Sequence, residues 1–282
     1  MEIYDQDQVD DLQREFLSHK NRGAFHLTNH YSKRLWVTAL LQSFLNSRRK
    51  LYGRSWQQEL QNGKVACALV TIVHKDWACA DNNIQFDLNR AKRKVRRALV
   101  GSNFIANFEA APYRDERWET NGESGKLICF HCHAIVWAGS LSGLRRLQQK
   151  IQGQFKPILG AKRGVNMRRL PTENDLAGAL VYNAKMPVLG KRCIPTSRGR
   201  TQRDSKVTFR TRRELFHSLK KHSLFEFWLG GGQGSRILRG PRNRLKARYK
   251  PADNTGSFTS RYRRHGSEKL SLDAISRRLR RI

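Results

Sequence analysis

Two histidines separated by one residue interrupt an apolar stretch near the middle of the chain. The stretch LICFHCHAIVW, from Leu127 to Trp137, is rich in β-branched and aromatic residues, which favours a strand buried on both faces. Side chains two apart on a strand share one face, so His131 and His133 should point the same way. Burying two imidazoles without partners is costly. We therefore favour a divalent metal ion that both rings bind over two core histidines bonded to nearby backbone groups.

A carboxylate is expected to join the two histidines. The apolar stretch 103–112 precedes the histidine strand, and the polar loop 113–126 connects them, so the two strands should form an antiparallel hairpin. Opposed residue numbers in such a pair have a constant sum, and a turn centred near Thr120 makes it about 240. Glu109 then lies opposite His131 as the third ligand, whereas a register slip of one residue would turn it to the other face.

Five further segments must position these side chains. The sequence predicts a central strand from Val65 to His74 and a short strand from Val165 to Leu170. It also predicts three helices, over Asp87 to about Val100, over Ser140 to Gln154 and over Glu173 to about Lys185. Together with the hairpin they predict an α+β fold, in which helices flank a central antiparallel sheet of about four or five strands.

The remaining chain divides by composition. Residues 1–62 carry amphipathic helical spacing and predict a helical N-terminal extension to a main domain at 63–190. Residues 191–230 predict a basic, irregular segment followed by a helix from Arg212 to Leu229. Residues 231–282 are rich in arginine and poor in apolar groups, which predicts a basic and mostly disordered tail.

The charge of the chain points to a polyanionic partner. Its 282 residues carry a formal net charge of +32, and such self-repulsion favours nucleic acid as a partner, with an anionic membrane surface as the alternative. No apolar run is long enough to span a bilayer, and the N-terminus is acidic, unlike a signal segment. The five cysteines are an odd number, typical of reduced thiols. We expect a cytoplasmic protein without a membrane partner.

Two short motifs resemble those of a known superfamily. His131-Cys132-His133 within an apolar strand resembles the His-hydrophobic-His motif of the HUH endonucleases, and Tyr182-Asn183-Ala184-Lys185 on a later helix resembles their Tyr-x-x-Lys motif. The order of strands and helices over residues 64–190 is also similar. Within this superfamily the chain looks most like a single-tyrosine rolling-circle replication initiator of plasmid or phage type.

The resemblance implies a reaction and roles for the motif residues. Tyr182 would attack a backbone phosphorus of single-stranded or supercoiled origin DNA, giving a 5′-phosphotyrosine and a free 3′-OH primer. His131, His133 and Glu109 would hold Mg²⁺ or Mn²⁺, and Lys185 would stabilise the phenolate or the charge on the phosphate. The chain would be a site-specific single-strand DNA endonuclease and ligase whose partners include a host helicase and polymerase.

The chain departs from the pattern at one place. Some initiators carry a second tyrosine or a glutamate one helical turn before the nucleophile, where this chain has Gly178. The chain also lacks the GxxxxGK[ST] phosphate loop, so unwinding would come from a host helicase or from supercoiling. An HUH transposase and a mobilisation relaxase share the same core motifs and remain alternatives.

Two other interpretations compete. Cys129 to His133 reads CFHCH, the spacing of c-type haem attachment, but Cys129 and Cys132 would leave opposite faces of a strand, which suits neither haem nor zinc. A non-enzymatic DNA-binding protein, with basic helices on phosphates and the histidines packed in the core, is the stronger competitor.

Overall fold

The description of the structure, a computed structural model, covers most of the region between residues 65 and 248. The described residues are 65–81, 83–115, 126–158, 163–183, 190–196, 199–205, 211, 214, 215, 218 and 224–248. The predicted N-terminal extension at 1–62 lies outside them, as do Lys185 and the tail residues 249–282.

The described elements are seven strands, four α-helices and one 3₁₀ turn. The strands are β1 (Ala66–Ala80), β2 (Asn103–Asp115), β3 (Lys126–Ala138), β4 (Val165–Arg169), β5 (Gly190–Thr196), β6 (Gly199–Ser205) and β7 (Trp228–Gly231). The helices are α1 (Leu88–Ala98), α2 (Leu141–Gln152), α3 (Glu173–Asn183) and α4 (Gln233–Arg248), with a 3₁₀ turn at Leu224–Phe227.

One sheet forms the centre of the fold. Its strand order is β4-β1-β3-β2-β5-β6, with β7 also paired to β2. The pairings of β1 with β3 and β4, and of β2 with β3 and β7, are antiparallel. The predicted α+β fold with a central antiparallel sheet and flanking helices is therefore confirmed. The described sheet has seven strands, more than expected, and β5 pairs parallel to β2.

The first two helices begin where the sequence predicts. The Asp87 side chain accepts the backbone N–H of Arg90 at 2.8 Å, and the Ser140 hydroxyl accepts that of Gly143 at 3.2 Å, so both residues act as N-caps. Each helix turns an apolar stripe toward the core. The buried residues are Leu88, Ala91, Val95 and Ala98 in α1 and Leu144, Leu147 and Ile151 in α2.

The two faces of the sheet are covered differently. Phe130 precedes His131 in β3, so its side chain points to the opposite face of the sheet. There the ring of Phe86, just before α1, stacks on the Phe130 ring, with the two ring centroids 3.8 Å apart. Lys150 of α2 donates to the carbonyl of Val100, just past α1, so these helices are neighbours. We call the side covered by α1 and α2 the helical face, and the side of His131 and His133 the histidine face.

The sheet continues beyond residue 190, contrary to the irregular segment predicted there. β5 and β6 form an antiparallel hairpin, and β5 pairs with β2 at Tyr113 to Asp115. The predicted helix from Arg212 to Leu229 is wrong at its end, because residues 228–231 form β7 along Phe104 to Asn107 of β2. The free edge of β2 supplies backbone partners that a helical pattern cannot reveal.

The tail was also expected to be disordered from residue 231 onward, and this is wrong for its first part. Residues 233–248 form α4, with Ile237 and Leu238 buried. The backbone N–H of Gln233 donates to Asn103 Oδ1 at 3.0 Å. A side chain on Gly234 would overlap the carbonyl oxygen of Phe104, so glycine allows the first turn of α4 to lie directly on β2.

No helix in the described part of the chain has both the length and the apolar character needed to cross a bilayer.

Candidate metal centre

Three potential ligands meet on the histidine face. Glu109 lies directly opposite His131 in the β2–β3 register, which confirms the predicted pairing. Its Oε2 is 3.5 Å from Nε2 of His131 and 3.4 Å from Nε2 of His133. One ligand atom from each residue lies within 4.8 Å of the other two. Strand alternation puts both histidines on one side, and the register brings the carboxylate to them.

The other ring nitrogens hold the imidazoles in place. Nδ1 of His131 is 3.3 Å from the carbonyl oxygen of Cys129, and Nδ1 of His133 is 3.0 Å from the hydroxyl oxygen of Thr71. Thr71 lies opposite His133 in the β1–β3 register. A carbonyl oxygen can only accept, so Nδ1 of His131 carries the proton, and the same assignment suits His133. In a neutral ring with Nδ1 protonated, each Nε2 would offer its lone pair to a metal ion bound beside Glu109.

The electrostatic setting keeps Glu109 ionised. Burial alone would raise the pKa of this carboxyl, but hydrogen bonds and positive charge from His131 and His133 together hold it well below its ordinary range. A buried carboxylate that stays charged needs a cation beside it. Either a protonated histidine or a bound metal ion meets that need.

The separations within the cluster fit a metal ion. A charge-assisted hydrogen bond between imidazolium and carboxylate is usually about 2.7–2.9 Å long. Both Nε2–Oε2 distances in this cluster are longer, at 3.5 and 3.4 Å, which leaves room for an ion bonded to all three atoms. Two imidazole nitrogens and one carboxylate oxygen suit several divalent first-row metals. The cluster can therefore hold a metal ion, and its donor set does not identify which one.

Tyr182 stands beside this cluster. Its ring centroid is 5.0 Å from that of His133, at an interplanar angle of 74°, and the residue is 37% exposed. The structure thus places a partly exposed phenol ring on the histidine face, beside one of the three potential ligands. Lys185, the second predicted catalytic residue, lies outside the described residues.

The sequence analysis did not single out three residues near the cluster: Thr71, Asn107 and Asn183. Thr71 contacts His133, and Asn107 lies opposite His133 in β2, two residues before Glu109. A signal was available for Asn107, a polar residue two positions before Glu109 and therefore on the same strand face. Thr71 is likewise a polar residue in an apolar strand, but only the β1–β3 pairing shows which face it shares. Asn183 carried no such signal, since its place depends on how α3 lies on the sheet.

The cysteines do not join the centre. Cys129 and Cys132 are both buried, and burial strongly raises the pKa of the Cys132 thiol. Their three-residue separation along β3 sends their side chains to opposite faces. Within the described residues, no second group of three histidine, cysteine or acidic side chains has metal-binding spacing. Neither haem attachment nor a cysteine-bound zinc site gains support.

Comparisons with known proteins give no family for this chain. A scan against protein-family models, a search of curated proteins and a search of solved structures each find no match.

Proposed function

We propose that this chain is an HUH endonuclease of the single-tyrosine, rolling-circle initiator type, which nicks origin DNA through Tyr182. The observation that carries the proposal is the contact between the Tyr182 ring and His133, which belongs to the buried Glu109–His131–His133 cluster. The proposed nucleophile and the candidate metal centre come from distant parts of the sequence and lie on the same face, which supports the proposal. The match of motif order and strand–helix order with that superfamily adds support.

The proposed reaction transfers a phosphate from DNA to the tyrosine. The phenol oxygen of Tyr182 forms a bond to phosphorus and loses its proton to solvent, and the bond from phosphorus to the 3′ oxygen breaks. The leaving 3′ oxygen takes up a proton, so the products are a free 3′-OH and a 5′-phosphotyrosine. Phenols are poor nucleophiles at neutral pH because most molecules keep their proton. A bound Mg²⁺ or Mn²⁺ would draw charge from a phosphate oxygen and so assist the attack.

The residues of the cluster have separate tasks in this scheme. His131 and His133 present neutral Nε2 atoms as ligands, and their Nδ1 bonds to Cys129 and Thr71 fix the rings. Glu109 keeps its negative charge and would balance that of a bound ion. Lys185, as the superfamily motif implies, would stabilise the phenolate or the developing phosphate charge.

The helical face supplies the affinity for the DNA backbone. α1 contains six lysines and arginines, α2 contains three, and neither helix contains an acidic residue. Helix faces that are merely solvated usually interleave both signs of charge. Uninterrupted positive charge attracts phosphates regardless of base sequence.

Covalent capture tests the proposal. The full chain is incubated with random-sequence single-stranded oligonucleotides and with supercoiled plasmid, with Mn²⁺, with Mg²⁺ or with chelator. We expect metal-dependent protein–DNA adducts that survive denaturing electrophoresis, together with relaxed plasmid circles. Tyr182→Phe should remove both, whereas Tyr113→Phe, the same change on β2, should retain both. Adducts that persist in Tyr182→Phe would refute the assignment of the nucleophile.

A non-enzymatic DNA-binding protein is the second candidate, favoured by the acid-free surface of α1 and α2. It predicts tight, salt-sensitive and metal-independent binding in the same assay, with no adduct and no relaxed circles. HUH transposases and mobilisation relaxases would give the same adducts as an initiator. Sequencing the captured oligonucleotides, then testing replication from a plasmid that carries the selected site, separates these roles.

A further inference from the structure

The end of α3 is fastened to the sheet by two asparagine side chains. Nδ2 of Asn107 in β2 donates to the backbone carbonyl of Asn183, the last residue of α3, at 2.6 Å. Nδ2 of Asn183 in turn donates to the backbone carbonyl of His133, at 3.4 Å. Both asparagines are buried, at 6% and 1% exposure. Tyr182 is the residue immediately before the anchored position.

Stability alone does not explain this pair of residues. The last carbonyls of a helix need outside donors, but water or a C-terminal cap usually meets that need. Here the Oδ1 atoms of both asparagines are buried, and no described residue donates to either. A buried amide with an unmet acceptor costs free energy that an apolar side chain of similar size would not.

The two asparagines are linked to one ligand of the candidate metal centre, His133. Asn107 lies directly opposite His133 in the β2–β3 register. Asn183 bonds the main chain of His133, and the Tyr182 ring contacts the His133 side chain. The anchor therefore ties the position of the phenol to the same residue that would bind the ion.

We propose that Asn107 and Asn183 are positioning residues that hold Tyr182 in register with the Glu109–His131–His133 cluster. The inference rests on the proposed nuclease function for its role in catalysis. It rests on the hydrogen bonds alone for its role in fixing the tyrosine. Displacing a nucleophile by about 1 Å can cost on the order of 100-fold in rate, so loss of the anchor should act on the bond-forming step.

The test uses fluorine-19 NMR on the full chain labelled with 3-fluorotyrosine, with the Tyr182 signal assigned by Tyr182→Phe. In Asn107→Leu we expect that signal, recorded without metal, to move toward its position in denatured protein. At saturating DNA, single-turnover cleavage should fall by roughly 10- to 100-fold. The dissociation constants for Mn²⁺ and DNA should stay within about threefold, because neither the ligands nor the basic helices change.

A control on the same strand separates positioning from general stability. Asn103 also anchors a helix, because its Oδ1 accepts the backbone N–H of Gln233 at the start of α4. Asn103→Leu should move neither the Tyr182 signal nor the cleavage rate. If Asn107→Leu does not fold, Asn183→Ala is the substitute, since it removes only the bond to His133 and should give a smaller change in the same direction.

The outcomes distinguish this inference from the proposed function. A Tyr182 signal and a cleavage rate that both match wild type in Asn107→Leu would overturn the inference. A moved signal with an unchanged rate would overturn it too. If the wild-type chain cleaves no DNA, the proposed function fails, and the NMR comparison alone decides whether the two asparagines fix Tyr182.

Discussion

The two faces of the sheet use polar residues in opposite ways. On the histidine face, a few ionisable groups lie at fixed distances, and the rings of His131 and His133 each bond to a second residue. On the helical face, nine cations spread over α1 and α2 without an interleaved acid. The first arrangement suits chemistry at one point, whereas the second suits an extended anion.

The two faces should differ in how well they tolerate substitutions. A candidate metal centre with three ligands loses its geometry when any one is removed. Affinity for a polyanion that comes from many separate charge contacts falls only slightly when one basic residue is removed. Mutations on the two faces should therefore separate cleavage from binding.

The largest effect is expected from removing a ligand. His133→Ala or His131→Ala should abolish both Mn²⁺ binding and cleavage, because two donors hold the ion too weakly. Their affinity for DNA, measured by filter binding without metal, should remain within about twofold, since the positive charge lies elsewhere. Normal nicking by either variant would show that the metal assignment is wrong.

The next largest effect is expected from removing the Thr71 hydroxyl, which is hydrogen-bonded to His133. Thr71→Val keeps the size of the side chain but removes the acceptor for Nδ1 of His133. We expect Mn²⁺ affinity, measured by calorimetry, to drop about 10- to 100-fold, with cleavage recovering at high Mn²⁺. Thr211→Val removes a hydrogen bond to Asp81 elsewhere and should leave Mn²⁺ affinity unchanged. If Thr71→Val binds Mn²⁺ as tightly as wild type, the hydrogen bond between Thr71 and His133 does not contribute to metal binding.

Removing positive charge from the helical face should weaken DNA binding without changing the rate of cleavage. Arg93 and Arg97 are exposed on α1. Their double change to glutamine should reduce the slope of log affinity against log salt by up to about two, since each phosphate contact contributes about 0.9. Cleavage at saturating DNA should be unaffected. As a control, Arg168→Gln removes one charge from the histidine face, because Arg168 lies opposite Leu69, two residues before Thr71 on β1. A loss per charge equal to that of the double change would mean that the helical face is not the main contact.

The smallest effect is a pH dependence centred on Lys92. Burial, with the positive charges of Arg242 and Arg96 and only Glu226 opposing, lowers the pKa of Lys92 to about 8. The free protein therefore becomes more stable as pH rises through the interval from 8 to the ordinary lysine value, because the unfolded chain holds that proton longer.

A nearby phosphate favours the charged amine, so affinity for DNA should fall a few-fold between pH 7 and 9. Lys92→Arg keeps its charge throughout this range and should flatten the profile. An identical profile in wild type and Lys92→Arg would exclude Lys92 as the titrating group.

Much of the site could be predicted because its rules are local. The single residue between His131 and His133 sets them on one face, and the centre of one turn fixes Glu109 opposite His131. The caps at Asp87 and Ser140 likewise depend on residues within one helical turn. The predictions were wrong for elements that form by contact with residues far away in the sequence. β7 forms because β2 has a free edge, and α4 forms where Ile237 and Leu238 can be buried.

Local patterns in the sequence were enough to place side chains on one strand face, to mark where the first helices begin and to give the chain its large positive charge. Folding alone brings the Tyr182 ring to His133 and the Thr71 hydroxyl to the same imidazole. It also brings Asn107 to the end of α3. These two sets of features differ in how far apart the contributing residues lie along the chain. Periodicity and capping act over a few residues, whereas these contacts depend on how a helix from one part of the chain packs on strands from others.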